Sequence, residues 1–176
     1  MAETLILLPM LIWGFLALFV YWDAFRAINI SQKAAYSISD LLSRQGQIDQ
    51  NFINGMQTVA NFLVLNSPKA SIRITSIQYD GPNNKYLLLF SKSPGNKMAA
   101  HTAASIQLAA FKNKIPTMLN LDSVVVVETE VEYHPGFDIG VVGLGTGITD
   151  QTFRQFIVTR PRFYTRVCMN PTCTQP

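Results

Sequence analysis

The chain has 176 residues, 48% of them hydrophobic and only 14% charged, with a mean hydropathy of +0.18. That excludes a disordered chain and is more apolar than a purely water-soluble domain requires. The net charge of +3 is spread over singly placed Lys and Arg, densest at Arg160, Arg162 and Arg166; no basic helix or basic–aromatic strip points to nucleic acid.

The apolar excess lies at the front, where no residue from Thr4 to Trp22 carries a charge. As a helix, this run spans about 28 Å, close to the hydrocarbon thickness of a bilayer. Tyr21 and Trp22 fall where an interfacial aromatic belt would, and Asp23 and Arg26 mark the exit into water at a spacing that lets them pair. A cleaved secretory signal is the rival reading, but residues 21–26 (YWDAFR) offer no small-x-small cleavage site, so a retained anchor is expected. Pro9 is expected to kink this helix or loosen one of its hydrogen bonds. Glu3 places a carboxylate just ahead of the apolar run. It either sits among headgroups or pairs with a cation, such as the amine of a neighbouring subunit, and so sets register in an assembly.

Beyond the span, Phe25, Ile28, Ala35, Ile38 and Leu42 continue one apolar stripe, so the helix is expected to reach about Ser43, with Gly46 ending it. A second amphipathic helix follows, with Ile48, Phe52, Met56, Val59 and Leu63 on its inner face, and Asn66, Ser67 and Pro68 stop it. Residues 1–45 thus form the membrane helix with its amphipathic extension, and 46–176 the domain. Strands over 71–79 and 86–91 flank the turn 81–84 (GPNN). A helix is expected over 99–111. The clearest strand is 123–133, with Val125, Val127, Val131 and Tyr133 facing one way and Glu128, Glu130 and Glu132 the other, as in a sheet with one wet face. A glycine-rich connection over 140–147 leads to a last strand over 152–163. The fold class is α+β: a long N-terminal helix, then a small domain with a mostly antiparallel four-stranded sheet and packed helices.

Little of this pattern suggests catalysis. The run 143–147 (GLGTG) fails the spacing of a phosphate loop and lacks a strand–loop–helix setting. Three alternating glutamates repel one another and favour solvent. His134, beside Pro135, reads as a turn residue; His101 begins the expected helix, and neither has an evident nucleophile with an orienting partner. Arg160 and Arg162 flank Pro161 and offer either a structural ion pair with an acidic strand residue or an interaction patch. Cys168 and Cys173 close a short disulfide loop in an oxidising compartment and stay free thiols in a reducing one; a zinc site would need further ligands that His101 and His134 are not spaced to give.

Four short motifs carry a family resemblance. Residues 3–9 (ETLILLP) resemble the Glu-x-x-x-x-x-Pro opening of TadE-like and TadG-like pilus assembly proteins. Residues 39–44 (SDLLSR) resemble the family's Asp-Leu-x-x-Arg stretch, the strand from Val124 running through Tyr133 and Pro135 its Val-x-Tyr-x-Pro strand end, and Arg160, Pro161 and Arg162 its closing Arg-Pro-Arg. They occur in family order across nearly the whole chain. The glutamate is third here rather than fifth, no processed leader is visible, and no von Willebrand-type domain is present, which makes the TadE-like form the nearer resemblance.

The resemblance implies a pilin-like fold and a minor pilin or pseudopilin of the tight-adherence pilus machine, held in the inner membrane with its domain in the periplasm. Glu3 would pair with the N-terminal amine of an adjacent subunit, with Pro9 beside it. Partners would be other pilus subunits, inner-membrane assembly proteins and the bilayer, with no cofactor, no small-molecule substrate and no enzymatic activity. One conflict stands: no Lys or Arg precedes the helix whereas Arg26, Lys33 and Arg44 follow it, which by charge alone leaves the domain in the cytoplasm. A basic leader ahead of Met1 would reconcile this with an oxidising compartment. The alternative function is a signal-anchored periplasmic sensor or adaptor that recognises a ligand or a partner protein.

Overall fold

The computed structural model describes residues 2–64, 70–136 and 150–170. A single helix, α1 (Ala2–Ser43), runs through Pro9 without a break. Its first half matches the uncharged run and is long and apolar enough to cross a membrane. Its second half is part of the domain. Ala24, Ser31, Ala34, Ala35, Ile38 and Leu42 are buried along one stripe, which begins a turn earlier at Val20 inside the uncharged run, the small residues letting the helix lie close on a sheet. Phe25, expected on that stripe, is instead exposed. The helix ends three residues before Gly46, and the glycine has another use. A Cβ there would lie 2.8 Å from the ring of Tyr164, so the close approach of that ring, not a helix cap, requires glycine.

The short strand β1 (Gln47–Ile48) leads into α2 (Gln50–Leu63), which is capped by Asp49, whose Oδ1 accepts from the backbone N–H of Phe52 at 2.7 Å. The inner face of α2 is Ile53, Met56 and Ala60, rotated from the expected set; Phe52, Val59 and Leu63 pack only at its margin, and Ile48 precedes the helix. The expected stop at 66–68 lies outside the described residues.

Strands β2 (Ala70–Asp80) and β3 (Lys85–Lys92) form the expected hairpin, and β4 (Ser123–Tyr133) and β5 (Gln151–Thr159) complete an antiparallel four-stranded sheet in the order β3-β2-β4-β5. The last strand stops at Thr159, short of the expected 163, because Pro161 has no N–H to continue a ladder. A two-residue strand, β6 (Cys168–Met169), pairs in parallel with β1 and ties the C-terminal part to the corner between α1 and α2. The glycine-rich connection 140–147 lies outside the described residues.

Alternation along β4 sorts the core into two. Val125, Val127 and Val131 join Ile38, Leu42, Ile53, Met56, Ile72 and Ile74 beneath the helices. The opposite face is wet only toward Glu130 and Glu132, not throughout as the glutamates suggested. Val124 and Val126 there are covered by Ile106, Phe111 and Ile115, carried across the sheet by the β3–β4 connection. That connection also corrects the helix expected over 99–111. Only a 3-10 turn (Ser105–Gln107) and one short helix, α3 (Ala109–Lys112), form. The segment's backbone groups are claimed by side chains elsewhere: Arg73 Nη1 donates to the Ala99 carbonyl at 2.6 Å, and the His101 N–H donates to Ser91 Oγ at 2.9 Å. Such bonds displace the helical ladder.

Candidate functional site

Three places gather the residues that the sequence singles out. The first is the helix exit. Glu3 lies in the first turns of α1, its side chain outside the described residues, and Pro9 lies inside the same helix. At the other end of the apolar run, Asp23 does not pair with Arg26. Its Oδ2 accepts a hydrogen bond from the Tyr133 hydroxyl at 3.0 Å, while the Arg26 guanidinium lies 5.7 Å from the centre of the Trp22 ring. Burial, and then the hydrogen bond and charge of Asp23, push the Tyr133 hydroxyl up to about 12, so it stays a donor at every physiological pH. The Tyr133 ring also stacks on Phe153 of β5, with ring centres 5.5 Å apart.

The second place is the far end of the domain. Asp40 receives Arg44 one turn along α1 at 2.8 Å and Arg162 at 2.9 Å, so two of the short motifs, a hundred and more residues apart in sequence, meet on one carboxylate. The backbone N–H of Arg162 also caps α1 by donating to the Ser43 carbonyl at 2.8 Å. Arg160 pairs with Asp122, just before β4, at 3.1 Å. Both arginines thus hold intrachain partners while remaining largely exposed.

The third place joins Glu128 to Arg73 and His101, 55 and 27 residues away, a conjunction that the sequence does not display. Glu128 sits on the outer face of the sheet with its carboxylate largely buried, engaged by Arg73 through two bonds of 2.7 Å and by His101 Nε2 at 2.9 Å. Burial alone would raise its pKa, but the hydrogen bonds and charge of Arg73, and then those of His101, outweigh it and hold the carboxyl below its usual range. His101 Nδ1 lies 3.1 Å from Ser105 Oγ, and the imidazole ring meets Phe111 edge-on. A shallow recess of about 220 Å³ opens beside this array, lined by Leu108, Phe111, Lys114 and Phe156.

Serine, histidine and glutamate in a row invite comparison with a hydrolytic triad, but the bonding is that of a structural clasp. In a triad the serine bonds Nε2 and the acid bonds Nδ1, the reverse of what is seen here. The Ser105 hydroxyl is also used locally: it accepts the Thr102 N–H at 2.9 Å and lies 3.0 Å from the Thr102 carbonyl, while the Thr102 hydroxyl accepts the Ser105 N–H. Glu128 is neutralised by Arg73 rather than left to polarise an imidazole. The only signals in the sequence were Val124 and Val126, which share the glutamates' face and required a cover.

Glu130 follows the same face outward and pairs with Arg154 across the strands at 3.0 Å; Glu132 is exposed. His134, just past β4, pairs with Asp150 at 2.9 Å. Cys168 is fully buried on β6, whereas Cys173, and with it the geometry of any pairing between the two, lies outside the described residues. Set against protein-family models, curated proteins and solved structures, the chain matches none of them.

Proposed function

We propose that this chain is a membrane-anchored, minor pilin-like component of a Tad-type pilus assembly system, with a structural rather than catalytic role and its domain on the periplasmic side. The observation that carries this reading is the continuity of α1: one 42-residue helix is both the membrane-length apolar rod and a buried element of the α+β domain. A subunit built this way presents a rod for packing against other rods and a rigid head for other contacts. Two further observations support it. The Asp-Leu-x-x-Arg and Arg-Pro-Arg motifs share Asp40, and the strand-end motif delivers Tyr133 to Asp23, so the short motifs mark contacts that fasten head to rod.

In this reading Glu3 sets subunit register by pairing with the amine of a neighbour. A strain carrying Glu3→Ala is expected to lose most of its pili, while the thermal melt of the purified protein stays that of the wild type. Unchanged piliation would remove the register role. The reading also places Cys168 and Cys173 in an oxidising compartment, joined in a disulfide loop. Thiol titration of the protein, denatured without reductant, is expected to find no free thiol; two would put the domain in a reducing compartment.

A second reading rests on the recess beside His101 and Lys114, which suits an anchored sensor or adaptor that holds a small ligand. Such a protein would need no leader processing, so the mature N-terminus separates the two.

A further inference from the structure

The head is joined to its rod without a stalk. Two side-chain contacts fix the strands along α1: Asp23 with Tyr133 at the end of β4, and Ser39 with Thr159 at the end of β5. Between these two contacts, sixteen residues of helix and eight of paired strand each cover about 25 Å, so α1 and the strands run side by side. Asp23 is the first charged residue after the apolar run. The end of the sheet that carries Tyr133 therefore lies level with the point where α1 leaves its uncharged stretch.

The second helix reaches the same level. Gln57 Nε2 donates to the carbonyl of Ala70 at 2.6 Å, and Ala70 pairs with Val131, two residues short of Tyr133. The remaining six residues of α2 carry it about 9 Å further in the same direction. Here Phe62 is 73% exposed, while on α1 Trp22 and Phe25 are 59% and 63% exposed. Large rings at one level, on two helices and turned away from the core, are poorly placed in water. They are well placed at a headgroup boundary, where aromatic side chains are enriched. Arg26, beside Trp22, adds a cation at the height of lipid phosphates.

We propose that this rim of the domain rests on the same bilayer that α1 crosses, with Phe25 and Phe62 seated at the headgroup–acyl boundary as a second, peripheral lipid contact. The occupant follows from continuity: the rim begins where the apolar rod ends, and no spacer separates the two. This inference rests on the anchor reading, and the experiment must tell the failure of one from the failure of the other.

The chain has only two tryptophans, Trp13 and Trp22, which makes fluorescence quenching in vesicles practicable. The full chain is reconstituted in phosphatidylcholine–phosphatidylglycerol vesicles bearing either a headgroup spin label or deep acyl-chain bromines. Three single-tryptophan proteins are compared: Trp13 alone, Phe62→Trp and, as a far-end control, Leu119→Trp, the last two in a Trp13→Phe, Trp22→Phe background. Both added positions are exposed, so the folds should be kept, which thermal melts check. The expected result is deep-bromine quenching of Trp13, and headgroup quenching at position 62 about twofold or more above that at position 119. Quenching at 62 no greater than at 119, with Trp13 still quenched, overturns the rim contact and leaves the anchor standing. Loss of Trp13 quenching overturns both.

Discussion

Replacing Glu128 by alanine is expected to destabilise the folded domain by about 3 kcal/mol, because it leaves the Arg73 guanidinium largely buried without its counter-charge. Glu128 joins three parts of the chain. Arg73 belongs to β2, His101 to the β3–β4 connection, and Arg73 in turn holds the Ala99 carbonyl, so one deletion loosens the cover over Val124 and Val126. The effect depends on pH in a defined sense. The Glu128 carboxyl is held below its usual range in the folded state, so the folded protein gives up this proton more readily than the unfolded chain. Its contribution is complete above the unfolded carboxylate pKa, about 4.3, and drains away as pH falls through the folded value. Denaturant titrations of wild type and variant should therefore differ most near neutrality and converge in acid. A gap that persisted at low pH would show that shape, not charge, was lost. Glu128→Gln keeps the shape and separates the two contributions.

Ile38→Ala carries the other large effect. Ile38 is fully buried on α1 in the main core beneath the helices, and truncating a buried isoleucine costs about 2–5 kcal/mol through lost transfer energy and the cavity left behind. The apolar run ahead of Trp22 is untouched, so the two halves of α1 should respond separately. The melting temperature of the head is expected to drop while the protein stays with the membrane fraction after carbonate washing. Release of the variant, with the wild type retained, would mean that retention depends on the head rather than on the rod.

The elements legible in the sequence were those with a long period or sharp punctuation. The uncharged run and the stripe through Ile38 and Leu42 gave α1 almost to the residue, the turn at 81–84 gave the hairpin, and the alternation from Val124 to Tyr133 gave β4. The segment 99–111 departs from the helix that its alanines favour locally because the groups that break it come from Arg73 and Ser91, on β2 and β3. The clasp on Glu128 was hidden for the same reason, its partners lying 55 and 27 residues away. A glutamate on a strand reads as wet unless its own face also carries Val124 and Val126, and that pairing was the clue. The β1–β6 ladder, two residues on each side, is shorter than any period that a sequence can display. Of the residues singled out for assembly, Arg160 and Arg162 have definite places beside Asp122 and Asp40. The side chain of Glu3, and Cys173 with any pairing to the buried Cys168, lie outside the described residues.

The absence of a hinge between α1 and the sheet has a mechanical consequence. From Asp23 to Ser43 the helix rises about 30 Å with the strands fastened along it, so head and rod turn as one lever. A lean of about 20°, ordinary for a helix in lipid, would swing the tip bearing Arg160 and Arg162 sideways by about 10 Å. With α1 seated in a bilayer, as proposed, whatever pushes on that tip would in turn apply torque to the rod, so force would pass between water and lipid without any change in the shape of the molecule.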